Sequence, residues 1–397
     1  MTIGQVKVFA QKKFWALSSF GRASPWHGEG GGFEPRRVHH MSLKVGIVGL
    51  PNVGKSTLFK AITKKQVDCA NYPFCTIEPN VGVVAVSDPR LEALAKVSHS
   101  AKVIPATIEF VDIAGIVAGA SKGEGLGNKF LAHIREADAI IEVVRAFENK
   151  DIVHVAGKID PASDVETINL ELIYADLATV EKRLDTAKKQ AKSGVDRDGK
   201  ILIEALEKIN TVLLEGRAAR TVELTDDETK VMREMQLLTM KPMLYVVNVD
   251  EEQLKTGYTI SSLPKDAQIP LCIRLEEELA SLPPEEVQEY LSALGLAMTG
   301  LDQLIKASYA LLGLMTFLTS GEIETKAWTI TVGTKAPQAA GVIHTDFEKN
   351  FIRAEIIDWK DFVEIGEAGA REKGKLRVEG KDYVMRDGDV CHFRIGG

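Results

Sequence analysis

The sequence predicts an α/β protein: a mostly parallel sheet flanked by helices, a helical hairpin inserted into it, and a small α+β unit at the C-terminal end. Three observations support this. An apolar run, Leu43–Leu50, leads into a glycine-rich turn and then a stretch of helical composition. Two amphipathic stretches, Ile168–Arg183 and Ile201–Leu214, are joined by the polar turn Ser193–Gly199. Beyond Leu318 the composition turns strand-rich. With 397 residues, 45% of them hydrophobic, the chain carries two or three domains and a sizeable core. A charged fraction of 26% excludes wholesale disorder. The longest apolar runs, such as Met243–Val249, have strand length and fall well short of a membrane span, so no membrane partner is expected. A net charge of −7 argues against a surface coated in basic residues and leaves only local basic patches for nucleic acid. The four cysteines, Cys69, Cys75, Cys272 and Cys391, form no CxxC pair, which suggests neither a disulfide framework nor a zinc site. A reduced, cytoplasmic setting is expected.

Met1–His40 differs from the rest, with six Lys/Arg against two acids and a Gly-rich run ending near Arg36-Arg37. A transit segment is one reading. The reading favoured here is an upstream extension, because a buried strand begins directly after Met41. Residues 1–40 are therefore set aside as an N-terminal extension, disordered or non-native.

The first strand feeds Gly49-Leu50-Pro51-Asn52-Val53-Gly54-Lys55-Ser56, which satisfies GxxxxGK[ST], and Thr57–Thr63 follows with helical composition. In this strand–loop–helix setting glycines let backbone N–H groups approach phosphates, and the helix N-terminus favours the negative charge. Lys55 supplies a point charge to the β/γ oxygens, and Ser56 offers a hydroxyl to Mg²⁺. Gly49, Pro51, Asn52, Val53, Gly54, Lys55, Ser56 and Thr57 are thus candidate nucleotide-binding residues. Thr107–Val111 is a second strand-like run and ends in Asp112-Ile113-Ala114-Gly115, a DxxG. Asp112 suits a water-mediated hold on Mg²⁺, and the Gly115 N–H suits γ-phosphate sensing. Thr76, between the two motifs, is either an ordinary loop threonine or a second metal ligand that closes over Mg²⁺.

Met243–Val247 is a third strand, followed by Asn248-Val249-Asp250-Glu251. GTPases place Asn-Lys-x-Asp here, and the Asp takes two hydrogen bonds from guanine. Val249 in the lysine position and the longer Glu251 in the aspartate position misplace that bidentate contact, so adenine is the expected base and ATP the expected substrate.

These residues resemble the YchF/Obg-like family of translation-associated P-loop ATPases. The resemblance runs from about Met41 to the C-terminus, and its most specific parts are Asn71–Asn80, Asp112–Asn128, Asn248–Glu251 and Ala336–Phe351. It implies a Ras-like P-loop domain over 41–312 with the hairpin inserted at about 165–235 and projecting from it, and a TGS domain over 313–397. It also implies a preference for ATP over GTP, slow intrinsic hydrolysis and binding to ribosomes. Where the family carries a small-residue loop lining the base pocket, this chain has Leu271-Cys272-Ile273-Arg274-Leu275, which leaves the detail of base recognition open.

Leu301–Leu318 reads as an amphipathic helix, and Trp328–Val332, Phe351–Ile357, Tyr383–Met385 and Val390–Ile395 read as strands. His344, Asp346 and Glu348 lie close in sequence, but no second cluster supports a metal site, and this region is expected to bind rather than catalyse. Lys182, Arg183, Lys188, Lys189 and Lys192 give one hairpin arm a basic stripe, either a solvated face or an rRNA contact.

Ras-like GTPases place a water-orienting glutamine after DxxG. Here the residue is Ile116, so another group, in this chain or supplied by a partner, must orient water. His154, in the loop after the strand Ala139–Arg145, is the candidate catalytic residue or else an ordinary core histidine; His133 is the alternative, and Lys122, Glu124 and Asn128 lie in the glycine-rich stretch that would cover the γ-phosphate. The expected function is a Mg²⁺-dependent ATPase acting as a slow, ribosome-binding switch. A GTPase of the Obg-like group, or a ribosome-binding regulator whose nucleotide is a structural ligand, are the competing readings. The sequence leaves the oligomeric state open.

Overall fold

The computed structural model describes residues 43–67, 80–113, 126–149, 151–152, 154, 157–192, 194, 196–293 and 295–396. The first sheet runs β2(Val81–Ala85), β4(Thr107–Asp112), β1(Lys44–Val48), β5(Ala139–Arg145), β6(Met243–Asn248), β7(Gln268–Leu271). All neighbours are parallel except β2 and β4. β5 and β6 are buried along their full length, because helices cover both faces; this is why their sequences are nearly continuous apolar runs. α1(Lys55–Lys64) leaves β1 through the glycine-rich turn, and α3(Leu126–Glu136) precedes β5.

α4(Pro161–Ala191) and α5(Arg197–Leu214) form the antiparallel hairpin between β5 and β6. Asp160 caps α4 by accepting from Ser163 N, and Asp196 caps α5 by accepting from Gly199 N at 2.8 Å. The hairpin has its own core, with Val180, Leu184, Leu206 and Ile209 among its members. The chain returns from it past α6(Asp226–Met232) under the hold of Asp176, whose fully buried carboxylate accepts from Leu238 N, Thr239 N and Thr239 Oγ1 at 2.7–2.9 Å. After β6 come α7(Glu251–Thr256), α8(Ile273–Leu279), α9(Pro284–Ala293) and α10(Gly300–Leu311).

The second sheet has the order β11(Arg377–Glu379), β10(Phe351–Asp358), β12(Asp389–Ile395), β8(Leu314–Ser320), β9(Glu324–Thr331), β3(Lys102–Ile104). Its last strand is not local. β3 lies in the segment between β2 and β4, and pairs parallel with β9 through Lys102↔Glu324, Val103↔Thr325 and Ile104↔Lys326. In the same segment, α2(Pro89–Ser98) packs on α13(Trp359–Glu372). Arg90 bridges Asp88 at 2.7 Å and Asp387 at 2.9 Å. The principal core accordingly runs on from the first sheet into Leu318, Ile357, Phe362 and Val390. The opposite face of the second sheet packs on α11(Ala336–Ile343), and α12(Thr345–Lys349) follows directly.

Two expectations need correction. The helix read over Leu301–Leu318 stops at Leu311, and Leu314–Ser320 is a strand. Gly313 at φ +65° turns the chain out of the helix, and Thr316, Phe317 and Thr319 favour the pleated form over another helical turn. Tyr383–Met385 forms no strand beyond an isolated bridge between Lys335 and Val384. His344 caps α12 by accepting from Asp346 N at 3.2 Å, and the described residues contain no cluster of three metal-ligating side chains. No helix among the described residues is long and apolar enough to cross a membrane.

Glu355, buried in β10, is held by Arg394 at 3.0 Å and Arg353 at 3.1 Å, which depress its carboxyl to about 2. A depressed acid stabilises the fold above the ordinary carboxylate range and loses that contribution as pH falls toward its folded value. Glu355→Gln should therefore lower the melting temperature by a few degrees, about what a 1 kcal/mol loss gives, at pH 7. The gap to the parent should narrow as pH falls from about 5 toward 2 in calorimetric scans; a gap independent of pH would refute the assignment.

A candidate nucleotide-binding site

The site lies at the carboxyl edge of the first sheet, where β1, β4, β5 and β6 all end. Gly49, at φ +153°, passes so close to β5 that a Cβ would sit 2.5 Å from the Val143 carbonyl oxygen. Gly54, at φ +107°, is the N-cap of α1, and a Cβ there would meet Asn248 Nδ2 at 2.6 Å. Both positions need glycine for space as well as for backbone angle. Between them Asn52 adopts the left-handed conformation at φ +63° and is exposed, Pro51 is half-buried and Val53 is buried.

Lys55 is buried at the start of α1, with its Nζ donating to the Leu50 carbonyl oxygen at 2.5 Å across the loop. Burial lowers its pKa to about 8, against the pull of Asp112. Asp112 ends β4, in register with Ile47 of β1, and burial raises its carboxyl while Lys55 holds it down. Ser56 is exposed in the first turn of α1, and Thr57 is half-buried behind it. Thr76, Gly115, Lys122 and Glu124 lie outside the described residues, as do Cys69 and Cys75, and of Asn128 only its place in α3 is described.

Asn248 occupies the middle of the site. Its Nδ2 donates to the Val53 carbonyl oxygen at 2.9 Å and its Oδ1 accepts from Ile273 N at 3.2 Å. One buried amide therefore ties the phosphate loop, the end of β6 and the start of α8 together. Val249 is buried, with its N–H on the Leu271 carbonyl. Asp250 caps α7 in a reciprocal box with Gln253, which leaves Glu251 exposed in the first turn. Ile273 and Arg274 do not form an open loop: they begin α8. Ile273 is buried against Gly54, and Arg274 is exposed and paired with Glu278 on its own helix.

His154 is buried and its Nε2 lies 2.9 Å from Asp164 Oδ2 in the first turn of α4. His133 is exposed on α3. Sequence reasoning missed Asp164, Arg145 and the bracing role of Asn248. A signal was present for Arg145: a lone arginine closing an otherwise buried strand needs partners at once.

The chain was compared with known proteins. Residues 44–171 match the family model described as "50S ribosome-binding GTPase". Residues 314–396 match a C-terminal model described as a "protein of unknown function" and named for YchF GTPases. The Ribosome-binding ATPase YchF of Haemophilus ducreyi is 55% identical over 362 residues, 89% of this chain and 99% of that protein. That of Bacillus subtilis is 52% identical over 365 residues, 89% of this chain and 100% of that protein. A solved YchF GTPase from Schizosaccharomyces pombe superposes with a TM-score of 0.80 at 40% identity, covering 89% of this chain and 98% of its own.

Removing the Asn248 side chain strands the buried Val53 carbonyl and the Ile273 N–H. Asn248→Ala should destabilise the protein by about 2 kcal/mol and weaken nucleotide binding by about tenfold or more. Urea unfolding and ATP titration of the same preparation check both, and loss of neither would show that the amide is no brace.

Proposed function

The chain belongs to the YchF family, and we propose that it is a Mg²⁺-dependent ATPase that binds ribosomes and uses its nucleotide state as a slow switch. The observation that carries this reading is the buried Lys55 at the mouth of α1, facing Asp112 and closed in by the Asn248 brace. That arrangement is built to bind and neutralise a polyphosphate. Val249 and Glu251 at the base-reading positions support adenine, since neither reproduces the lysine and short carboxylate of a guanine reader.

The exposed Ser56 hydroxyl and the neighbouring Asp112 carboxylate are hard oxygen donors of the kind Mg²⁺ takes, with Asp112 acting through water and Thr76 assigned as the second hydroxyl ligand. Mg²⁺ held by these oxygens would supply charge neutralisation to the polyphosphate. Lys55 and the loop N–H groups hold the same oxygens, and the Gly115 N–H is assigned to γ-phosphate sensing. A water oxygen attacks the γ-phosphorus, and the bond to the β–γ bridging oxygen breaks with its electron pair left on ADP. The water protons pass to inorganic phosphate and solvent. With Ile116 in place of a glutamine, His154 is assigned to orient that water, and turnover is accordingly slow.

Ribosome contact is assigned to the hairpin and to the C-terminal region, which has the sequence features of a TGS domain; a ribosomal partner supports a cytoplasmic location. On the hairpin, Lys182, Lys189 and Lys192 are exposed, whereas Lys188 is paired with Glu207 at 2.7 Å. The relevant comparison is ATP and GTP affinity and turnover of the full chain with Mg²⁺, with and without ribosomes. ATP should bind at least about tenfold tighter, a difference of about 1.4 kcal/mol, and ribosomes should raise turnover. Tighter GTP would make the protein a GTPase, and indifference to ribosomes would leave the nucleotide a structural ligand. Lys55→Ala should lose at least about a hundredfold in ATP affinity by titration calorimetry, and normal affinity would remove the phosphate-loop assignment.

A further inference from the structure

We propose that Asp164 is a positioning residue that fixes the orientation and tautomer of His154, and that Arg145 holds the loop presenting that histidine. The proposal rests on the reading of His154 as the water-orienting group. His154 and Asp164 are 7% and 5% exposed, so their 2.9 Å contact is a shielded one. An ionised Asp164 accepts from Nε2–H, which directs the ring proton to Nε2 and the lone pair to Nδ1.

Arg145 approaches the same loop from the other side. It ends β5 with no exposed surface, and its guanidinium donates to three loop carbonyl oxygens: Phe147 at 3.2 Å, Asn149 at 3.1 Å and Ile152 at 3.0 Å. The Phe147 ring lies 4.5 Å from it. The start of this loop is moored to the brace of the phosphate site, because Ala146 N and Phe147 N both donate to the Asn248 carbonyl oxygen, at 2.8 and 3.2 Å. A hydrogen-bonded path thus runs from Val53 through Asn248 to the loop around Arg145, and the chain then reaches His154 two residues after Ile152. The histidine is registered to the phosphate loop at one end and to α4 at the other. A loop that only connected β5 to α4 would need neither a buried guanidinium nor a buried carboxylate, each of which is costly to desolvate.

The test uses the full chain in single-turnover ATP hydrolysis, ATP titration and ¹⁵N NMR of the histidine rings, with the His154 signal assigned by its loss in His154→Ala. The parent should show His154 protonated at Nε2. Asp164→Asn, whose amide can present a donor, should disturb that tautomer and slow hydrolysis at least about tenfold with ATP affinity nearly unchanged, the scale of losing a group that orients a reacting side chain. Asp164→Glu should recover part of the rate. In the His154→Ala background Asp164→Asn should cost nothing further, because the residue it positions is gone. An Nδ1–H tautomer in the parent, a parental rate in Asp164→Asn, or additive losses in the double variant would each overturn the proposal. The NMR result stands even where a variant folds poorly. A parental rate in His154→Ala would instead remove the underlying reading of His154.

Discussion

One buried amide sets the geometry on which the functional edge depends. Asn248 satisfies a carbonyl of the phosphate loop with its Nδ2 and the first N–H of α8 with its Oδ1, while its own carbonyl takes two N–H groups from the loop after β5. An asparagine side chain has both a donor and an acceptor, so it can join two loops that each present one unpaired backbone group. Ala in that place satisfies neither of them, and an ionised Asp satisfies only the N–H. The Gly54 backbone passes within contact distance of this amide, which explains why the loop needs glycine there for space as well as for phosphate approach.

The same edge is coupled to the second sheet by covalent continuity and by pairing. The segment joining β2 to β4 leaves the first sheet, contributes β3 to the second and packs α2 on α13 before returning. β4 ends at Asp112, which faces Lys55, so the strand that carries a phosphate-site carboxylate is continuous with a strand of the second sheet. With Arg90 bridging to Asp387 and the core shared across both sheets, displacement of β4 along its axis would be felt at β9. Among the described residues the two sheets therefore share one core and one connecting segment.

Much of this was legible in the sequence, because the strongest signals were local. A parallel strand followed by GxxxxGK[ST] and a helix leaves little freedom, and β1, β4, β5 and β6 fall on the apolar runs that indicated them. The hairpin followed from helical spacing and a polar turn. What escaped was long-range or short. β3 and β11 are three-residue strands whose existence depends on a distant partner. β8 was read as helix because its apolar residues continue those of α10, and only Gly313 breaks the run. At the site the motif residues were readable, whereas Asp164 and Arg145 belong to no motif and act through contacts that a linear pattern does not encode. Arg274, in the segment that left base recognition open, reaches along its own helix to Glu278, a helical pairing its linear context did not announce.

The buried charges around the β5 loop show why these omissions matter. Glu142, three residues before Arg145 on β5, is fully buried, its carboxyl is pushed well up by burial, and neither oxygen has a hydrogen-bond partner among the described residues. Asp164 lies near enough to raise it further, while Arg220 opposes the rise. Burial disfavours the charged form of Glu142, and a second carboxylate at Asp164 adds to that in a poorly solvated place. Burial also raises the Asp164 carboxyl, against the hydrogen bond from His154, and the arginine that closes β5 spends its donors on the loop. Buried charge is thus carried by Glu142 and Arg145 on β5, the strand shielded on both faces, and by Asp164 in the first turn of α4.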